Sequence, residues 1–305
     1  MSAKRLKMDE SLEFYVKITQ PQSFKSLVDI LSNILTEVDF KIEKTDTFEG
    51  IAVDSIDSSQ VCLVSARVAC KVILNQTEDE SQNTGVFCLI LKTFASCLRA
   101  IPSHYFIDLS RRMGDTDVTM SGYEPTIKTS SSTFTMRTIA REKHECGLDS
   151  LDYRYTISLD LQLFRGIVKN CKDLNSHDLT IEIKEPRVND DTLLKHTYVN
   201  IQSDSDEVSS KYAFHSITEL SEGNIIVIKT AEERTNPSDQ QSEIHDDLIT
   251  IVNSRYDVNF LSLFMKSMDR QSLTMRLSPD KPLLLEYCLG GGSSYIRFVL
   301  AMKAD

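Results

Sequence analysis

The sequence has no apolar run long enough to cross a bilayer. Its longest, such as Phe87–Leu91 and Ile225–Ile228, fall far short of the roughly 20 residues that a helical span needs, which excludes a membrane protein. No C-x-x-C pair occurs either. The seven cysteines, at 62, 70, 88, 97, 146, 171 and 288, are odd in number, scattered, and mostly set inside apolar stretches, as small buried hydrophobes are. This excludes a disulfide framework and indicates a reducing compartment. The basic start Met-Ser-Ala-Lys-Arg-Leu-Lys-Met lacks a following apolar segment, so it is not a secretory signal. Lys4, Arg5 and Lys7 read as a solvated tail, with a fragment of a nuclear address as the alternative.

Basic charge is also in short supply. Acidic residues number 45 against 34 basic ones, for a net charge of −11, so the chain repels nucleic acid unless its cations are gathered in one place. The six histidines (104, 144, 177, 196, 215 and 245) never pair at i,i+4, and His144-Glu145-Cys146 has no partners at metal spacing. No metal and no cofactor are expected. Gly290-Gly291-Gly292 lies between two strands and reads as a loose hairpin turn, not a phosphate loop. Asp54 and Asp57 are the closest carboxylates in an apolar context, suited equally to holding a turn and to acid–base work. Nothing here forms a catalytic constellation, so the chain is not expected to be an enzyme.

What is present is an alternation of strands with four short helices. Three hundred and five residues accommodate one large or two ordinary domains. Helical spacing of apolar residues marks Phe24, Leu27, Val28, Leu31, Ile34 and Leu35, with Ser23 as N-cap. It marks Leu91, Phe94, Ala95 and Leu98, ended by Pro102, then Phe164, Ile167, Val168 and Cys171, opened by Asp160. The last is Phe260, Leu261, Phe264 and Met268. Runs of strands separate these helices, which indicates an α+β architecture of largely antiparallel sheets. Lys184–Lys195 and Glu232–Asp247 are polar, proline-bearing surface loops. The strand pattern lapses around His144–Asp152, which marks a connector between two domains. The expected organisation is a tail over 1–11, a domain over 12–143, a connector over 144–153 and a domain over 154–305.

Charge is segregated by element. Arg165, Lys169 and Lys172 follow one another on the third helix opposite its apolar stripe, and Lys92 and Arg99 lie seven apart on the second. The fourth carries Lys266 and Arg270, the first only Lys25 against Asp29. Segments 23–35, 89–101, 160–174 and 255–270 together carry +4, leaving −15 for the remainder. Taken singly, such faces are ordinary solvated lysines. Side by side they would make a positive wall that neutralises phosphates without reading bases.

Ser55-Ile56-Asp57-Ser58-Ser59-Gln60-Val61-Cys62-Leu63-Val64 resembles the S-M-D-S-S-H-V-x-L-V segment of the proliferating cell nuclear antigen family, the eukaryotic DNA sliding clamps. Ser278-Pro279-Asp280-Lys281-Pro282-Leu283-Leu284-Leu285-Glu286-Tyr287 is similar to that family's S-x-D-x-P-L-x-x-E-Y, and Leu300-Ala301-Met302-Lys303 to its closing L-A-P-K. The resemblance covers about residues 12–305. It implies a DNA-clamp fold in which two similar domains of paired β-α-β-β-β units form a ring of three subunits, helices lining the central hole and sheets outside. Lys25, Lys92, Arg99, Arg165, Lys169, Lys172 and Lys266 would then face duplex DNA, independent of sequence.

The same resemblance implies a pocket for short partner peptides at Ile56, Gln60, Val61 and Leu63, at Cys146, Gly147 and Leu148, at Pro282, and at Ala301, Met302 and Lys303. Gln60 replaces the family's usual histidine and Met302 its proline, which suggests a different partner preference. For the subunit interface it implies pairing of Thr133–Ile139, with Phe134 and Met136, against Lys211–Ile217 of the next subunit, with Tyr212 and Phe214. Expected partners are DNA polymerase, other proteins with clamp-binding peptides, and a clamp loader. The expected location is the nucleus, or the cytoplasmic replication site of a large DNA virus. The rival assemblies are a checkpoint-type heterotrimeric clamp and a monomeric processivity factor of the same fold.

Overall fold

A computed structural model describes residues 11–74, 85–126, 131–140, 152–186, 194–219, 225–228, 248–266, 272–289 and 294–303. Among them, no helix is long and apolar enough to cross a membrane. The chain divides into two compact units, Met1–Gly147 with Cys288–Ile296, and Leu148–Tyr287 with Arg297–Asp305.

The first unit is built from β1 (Leu12–Ile18), α1 (Pro21–Ile34), β2 (Glu37–Lys44), β3 (Glu49–Ile56), β4 (Cys62–Ala69), β5 (Lys71–Leu74), β6 (Val86–Ile90), α2 (Leu91–Ala100), β7 (Phe106–Arg112), β8 (Asp117–Tyr123) and β9 (Ser131–Arg137). Period-two alternation drives the strands: in β2 the side chains of Val38, Phe40 and Ile42 turn inward while Glu37, Asp39 and Lys41 turn out. The strands pair in the orders β5-β1-β7-β8-β9 and β6-β2-β3-β4. The helix α1 starts three residues earlier than Ser23 as N-cap suggests. Gln20 is its N-cap and Pro21 its first residue, because proline's fixed φ and missing N–H suit the first helical position. The helix α2 ends before Pro102, as expected.

The second unit contains β10 (Tyr155–Asp160), α3 (Leu161–Asp173), β11 (Asp178–Pro186), β12 (Leu194–Asp204), β13 (Ser209–Glu219), β14 (Ile225–Ile228), β15 (Leu248–Asp257), α4 (Val258–Phe264), β16 (Ser272–Leu277), β17 (Leu283–Cys288) except its last residue and β18 (Tyr295–Leu300) except its first two. Its orders, β14-β10-β16-β17-β18 and β15-β11-β12-β13, repeat those of the first unit strand for strand. One pairing breaks the repeat: β5 runs antiparallel to β1, whereas β14 runs parallel to β10. Asp160 caps α3 by accepting from Leu163 N at 2.8 Å, and Asp257 caps α4 by accepting from Asn259 N at 2.7 Å. Only one of these caps, Asp160, is expected from sequence. The helix α4 is also shorter than the apolar spacing suggests, and Met268 and Arg270 lie outside the described residues, as do residues 144–151 of the expected connector, most of both insertions and the triple glycine.

Each unit's core forms where its two helices press an apolar face on its strands. In the first, Phe94 of α2 meets Phe24 of α1 at 5.9 Å and Phe40 of β2 at 5.4 Å, both edge to face. Phe87 stacks at 5.4 Å on both Phe40 and Phe14. In the second, Phe264 stacks on Phe298 at 4.3 Å, and Tyr287, wholly buried, meets Phe298 edge-on and donates its hydroxyl to Met265 Sδ at 3.4 Å. Such pairs add to area burial because ring edges and faces carry opposite partial charge. Replacing Phe94 with alanine removes the ring shared by both helices and β2, and is expected to cost about 3–5 kcal/mol, measured by urea denaturation.

Candidate nucleic-acid interface and partner surface

Packing an amphipathic helix by its apolar face exposes the opposite one, and that is where most of the expected DNA-facing cations stand. Lys92 and Arg99 on α2, Lys169 and Lys172 on α3, and Lys266 just beyond α4 are exposed. Arg99 folds back along its own helix, donating from Nε to Ala95 O at 3.3 Å. Lys172 reaches Ser262 Oγ of α4 at 3.3 Å. The other two are half-buried and already engaged: the Lys25 ammonium donates to the Ile101 carbonyl, and Arg165 Nη2 donates to Met265 O at 3.0 Å. Burial lowers the pKa of Lys25 below the usual lysine value, against the opposing pull of Asp29. The helix faces therefore carry two kinds of cation, which the sequence pattern does not separate.

Asp57 organises the segment that carries the resemblance. Its buried carboxylate accepts from Ser59 N at 2.9 Å, from Ser59 Oγ, from Val61 N at 2.8 Å and from Cys62 N at 2.6 Å. This turn carries Gln60 at φ 58°, in the left-handed region, and presents Ile56, Val61 and Leu63 half-buried with Gln60 exposed. Asp57 is thus occupied in holding a turn. Asp54 is occupied too, accepting from Arg67 Nη2 and Nη1 at 3.1 and 3.2 Å and from Ser65 Oγ at 2.7 Å. Among the described residues, no group of three His, Cys, Asp or Glu is placed to hold a metal ion.

In the second unit, a groove of about 490 Å³ lies between the strand residues Thr180, Gln202, Ile251 and Asn253, the Pro279–Asp280 turn and the tail at Met302 and Lys303. The tail is pinned there: Lys303 N donates to Arg255 O at 2.8 Å, and its ammonium binds Asp178, with Asp257 at 3.7 Å. These acids, the Asp178 hydrogen bond foremost, raise the Lys303 pKa. Met302 is half-buried, Ala301 exposed and Pro282 half-buried. Of the expected peptide-contacting residues, Met302 and Lys303 line this groove, Ile56, Gln60, Val61 and Leu63 belong to the first unit, and Cys146, Gly147 and Leu148 lie outside the described residues. Arg255, Asp178 and the strand residues were not singled out by sequence, because they are brought to the tail only by the fold.

The strands expected at the subunit interface each end a sheet, β9 in the first unit and β13 in the second. Phe134, Tyr212 and Phe214 are half-buried, and Tyr212 Oη accepts from Asn170 Nδ2 of α3 at 2.6 Å. Met136 is buried, 7% exposed, because it lies on the inward face of β9 beside Val118, so at this edge it offers its backbone and not its side chain.

Comparison with known proteins places these features in context. No protein-family model matches the chain. It is 23% identical to a protein named proliferating cell nuclear antigen from Chaetomium thermophilum, over 94% of this chain and 96% of that one. It is 22% identical to a probable DNA polymerase sliding clamp of Paramecium bursaria Chlorella virus 1, over 96% of this chain and 98% of that one. The crystal structure of the proliferating cellular nuclear antigen of Entamoeba histolytica superposes with a TM-score of 0.67 at 19% identity, covering 96% of this chain and all of that one.

The Asp57 network generates a test. Burial pushes the Asp57 carboxyl up, but the hydrogen bonds from Ser59, Cys62 and Val61 together outweigh it, so the group titrates below the ordinary carboxylate value. A depressed pKa contributes stability above the unfolded value, near 3.9, and that contribution is lost as pH falls through the folded one. Asp57→Ala is expected to cost about 2–3 kcal/mol at pH 7 by urea denaturation, with the gap to the parent narrowing below about pH 4. A gap independent of pH would contradict the assignment. With the strand orders and the length-wide similarity together, the chain has the sliding-clamp fold and is similar along nearly its whole length to proteins of the proliferating cell nuclear antigen type.

Proposed function

We propose that the protein is a DNA sliding clamp, a non-enzymatic processivity factor that tethers a DNA polymerase and other replication or repair proteins to duplex DNA. The observation that carries this reading is the contrast between a chain of net charge −11 and helix faces that expose Lys92, Arg99, Lys169, Lys172 and Lys266. Phosphate neutralisation by such cations is independent of sequence and weakens with salt, which suits a protein that must slide.

Assembly follows from the two open edges. An unpaired edge strand invites pairing with another chain, and among the described residues β9 and β13 each end a sheet. Pairing β9 of one subunit with β13 of the next is heterologous, so it closes into a ring when the rotation permits. Three subunits close the ring in this reading, and a clamp loader opens it. Partner peptides engage Leu63 and its neighbours in the first unit and the Met302–Lys303 groove in the second. An apolar anchor beside polar groups is what such peptides require. The protein acts in the nucleus or at the cytoplasmic replication site of a large DNA virus.

The direct test is topological. The purified protein is allowed to thread onto linear duplex, and both ends are then blocked with bound streptavidin. Retention at high salt on blocked DNA, with loss from open-ended DNA, is the expected result, and equal loss from both contradicts encirclement. Arg99→Glu combined with Lys169→Glu is expected to reduce stimulation of polymerase processivity about tenfold or more while leaving native mass unchanged. Leu63→Glu is expected to abolish partner-peptide binding, read by fluorescence anisotropy, without altering assembly.

A further inference from the structure

The two units repeat one contact that a reading of helix faces leaves out. The Lys25 ammonium of α1 donates to Ile101 O, the C-cap of α2, and Arg165 Nη2 of α3 donates to Met265 O, the C-cap of α4. Both cations are the fifth residue of their helix, three after a glutamine and one after a buried phenylalanine, in Pro-Gln-Ser-Phe-Lys and Leu-Gln-Leu-Phe-Arg. In the second unit, Gln162 Oε1 also accepts from Arg165 Nη1 at 3.2 Å, which fixes the guanidinium between the two helices.

The last carbonyls of a helix have no partner within it and carry the negative end of its dipole. A cation from the neighbouring helix satisfies one and binds the two helices together. Geometry also separates these two from the rest, since both are half-buried while Lys92, Arg99, Lys169 and Lys266 are exposed.

We propose that Lys25 and Arg165 are positioning residues: each ties the first helix of its unit to the carboxyl end of the second, fixing the exposed cations in place, and neither neutralises a phosphate itself. This rests on the reading of the helix faces as duplex-facing, and it divides the seven candidate cations into two braces and a phosphate-contacting set.

The test compares Lys25→Met, Arg165→Met, Lys92→Met and Lys169→Met in the assembled protein, by the salt dependence of duplex binding and by amide hydrogen exchange. Lys92→Met and Lys169→Met are expected to flatten the plot of log K against log salt by about 0.9 for each phosphate no longer neutralised. Lys25→Met and Arg165→Met are expected to leave that slope unchanged and to speed exchange about tenfold at the carboxyl ends of α2 and α4 respectively. The conservative changes Lys25→Arg and Arg165→Lys are expected to restore protection. Slopes flattened by Lys25→Met or Arg165→Met, with exchange unaltered, would overturn the proposal. If the parent protein itself shows no duplex binding, the duplex reading fails, and exchange alone decides the brace: unchanged protection in both methionine variants overturns it.

Discussion

The orientation of every charged group on the helices depends on one row of buried aromatic side chains in each unit. Phe24 and Phe94 lock α1 and α2 onto Phe40, while Phe164 of α3 is buried and Phe264 of α4 stacks on Phe298. A helix has only one face to bury, so once these rings are in place Lys92, Arg99, Lys169 and Lys172 on the opposite side stand exposed. Burial decides the geometry and charge follows it. An acidic chain thereby obtains a basic surface without a net positive charge.

Packing two helices side by side leaves their ends to be satisfied. The carboxyl ends of α2 and α4 receive cations from the adjacent helix, and the amino ends of α3 and α4 receive the Asp160 and Asp257 side chains. The turns are held in the same way. Asp57 gathers the amides of Ser59, Val61 and Cys62, and Gln60 and Asp280 occupy the left-handed region where the chain reverses. The residues of strongest family resemblance are thus also those that set the local backbone, which accounts for an aspartate in an apolar context.

Much of this was legible in the sequence, and the parts that were not share a cause. Periodicity located the four helices and the runs of strands between them, because alternation and 3.6-residue spacing are local signals. Pro21 shifted the start of α1 because proline at the first helical position outweighs a serine at the third. The division of the cations into braces and exposed groups was invisible because Lys25 meets a carbonyl 76 residues away and Arg165 one 100 residues away. The Gln-x-Phe-Lys and Gln-x-Phe-Arg repeat was the one sequence signal that could have exposed it. Likewise the inward turn of Met136, the parallel pairing of β14 and the pinning of Lys303 by Asp178 arise from tertiary register, which no single segment encodes.

The account stands or falls on whether the open edges β9 and β13 join copies of this chain into a closed ring. Native mass by light scattering across a dilution series measures that directly. The expected result is a species of three times 34.6 kDa, about 104 kDa, that persists on dilution, because opening a closed ring requires breaking two interfaces to release a subunit. A monomer of 34.6 kDa that persists at high concentration would contradict it, and would point to a clamp completed by other chains or one that holds DNA without a ring.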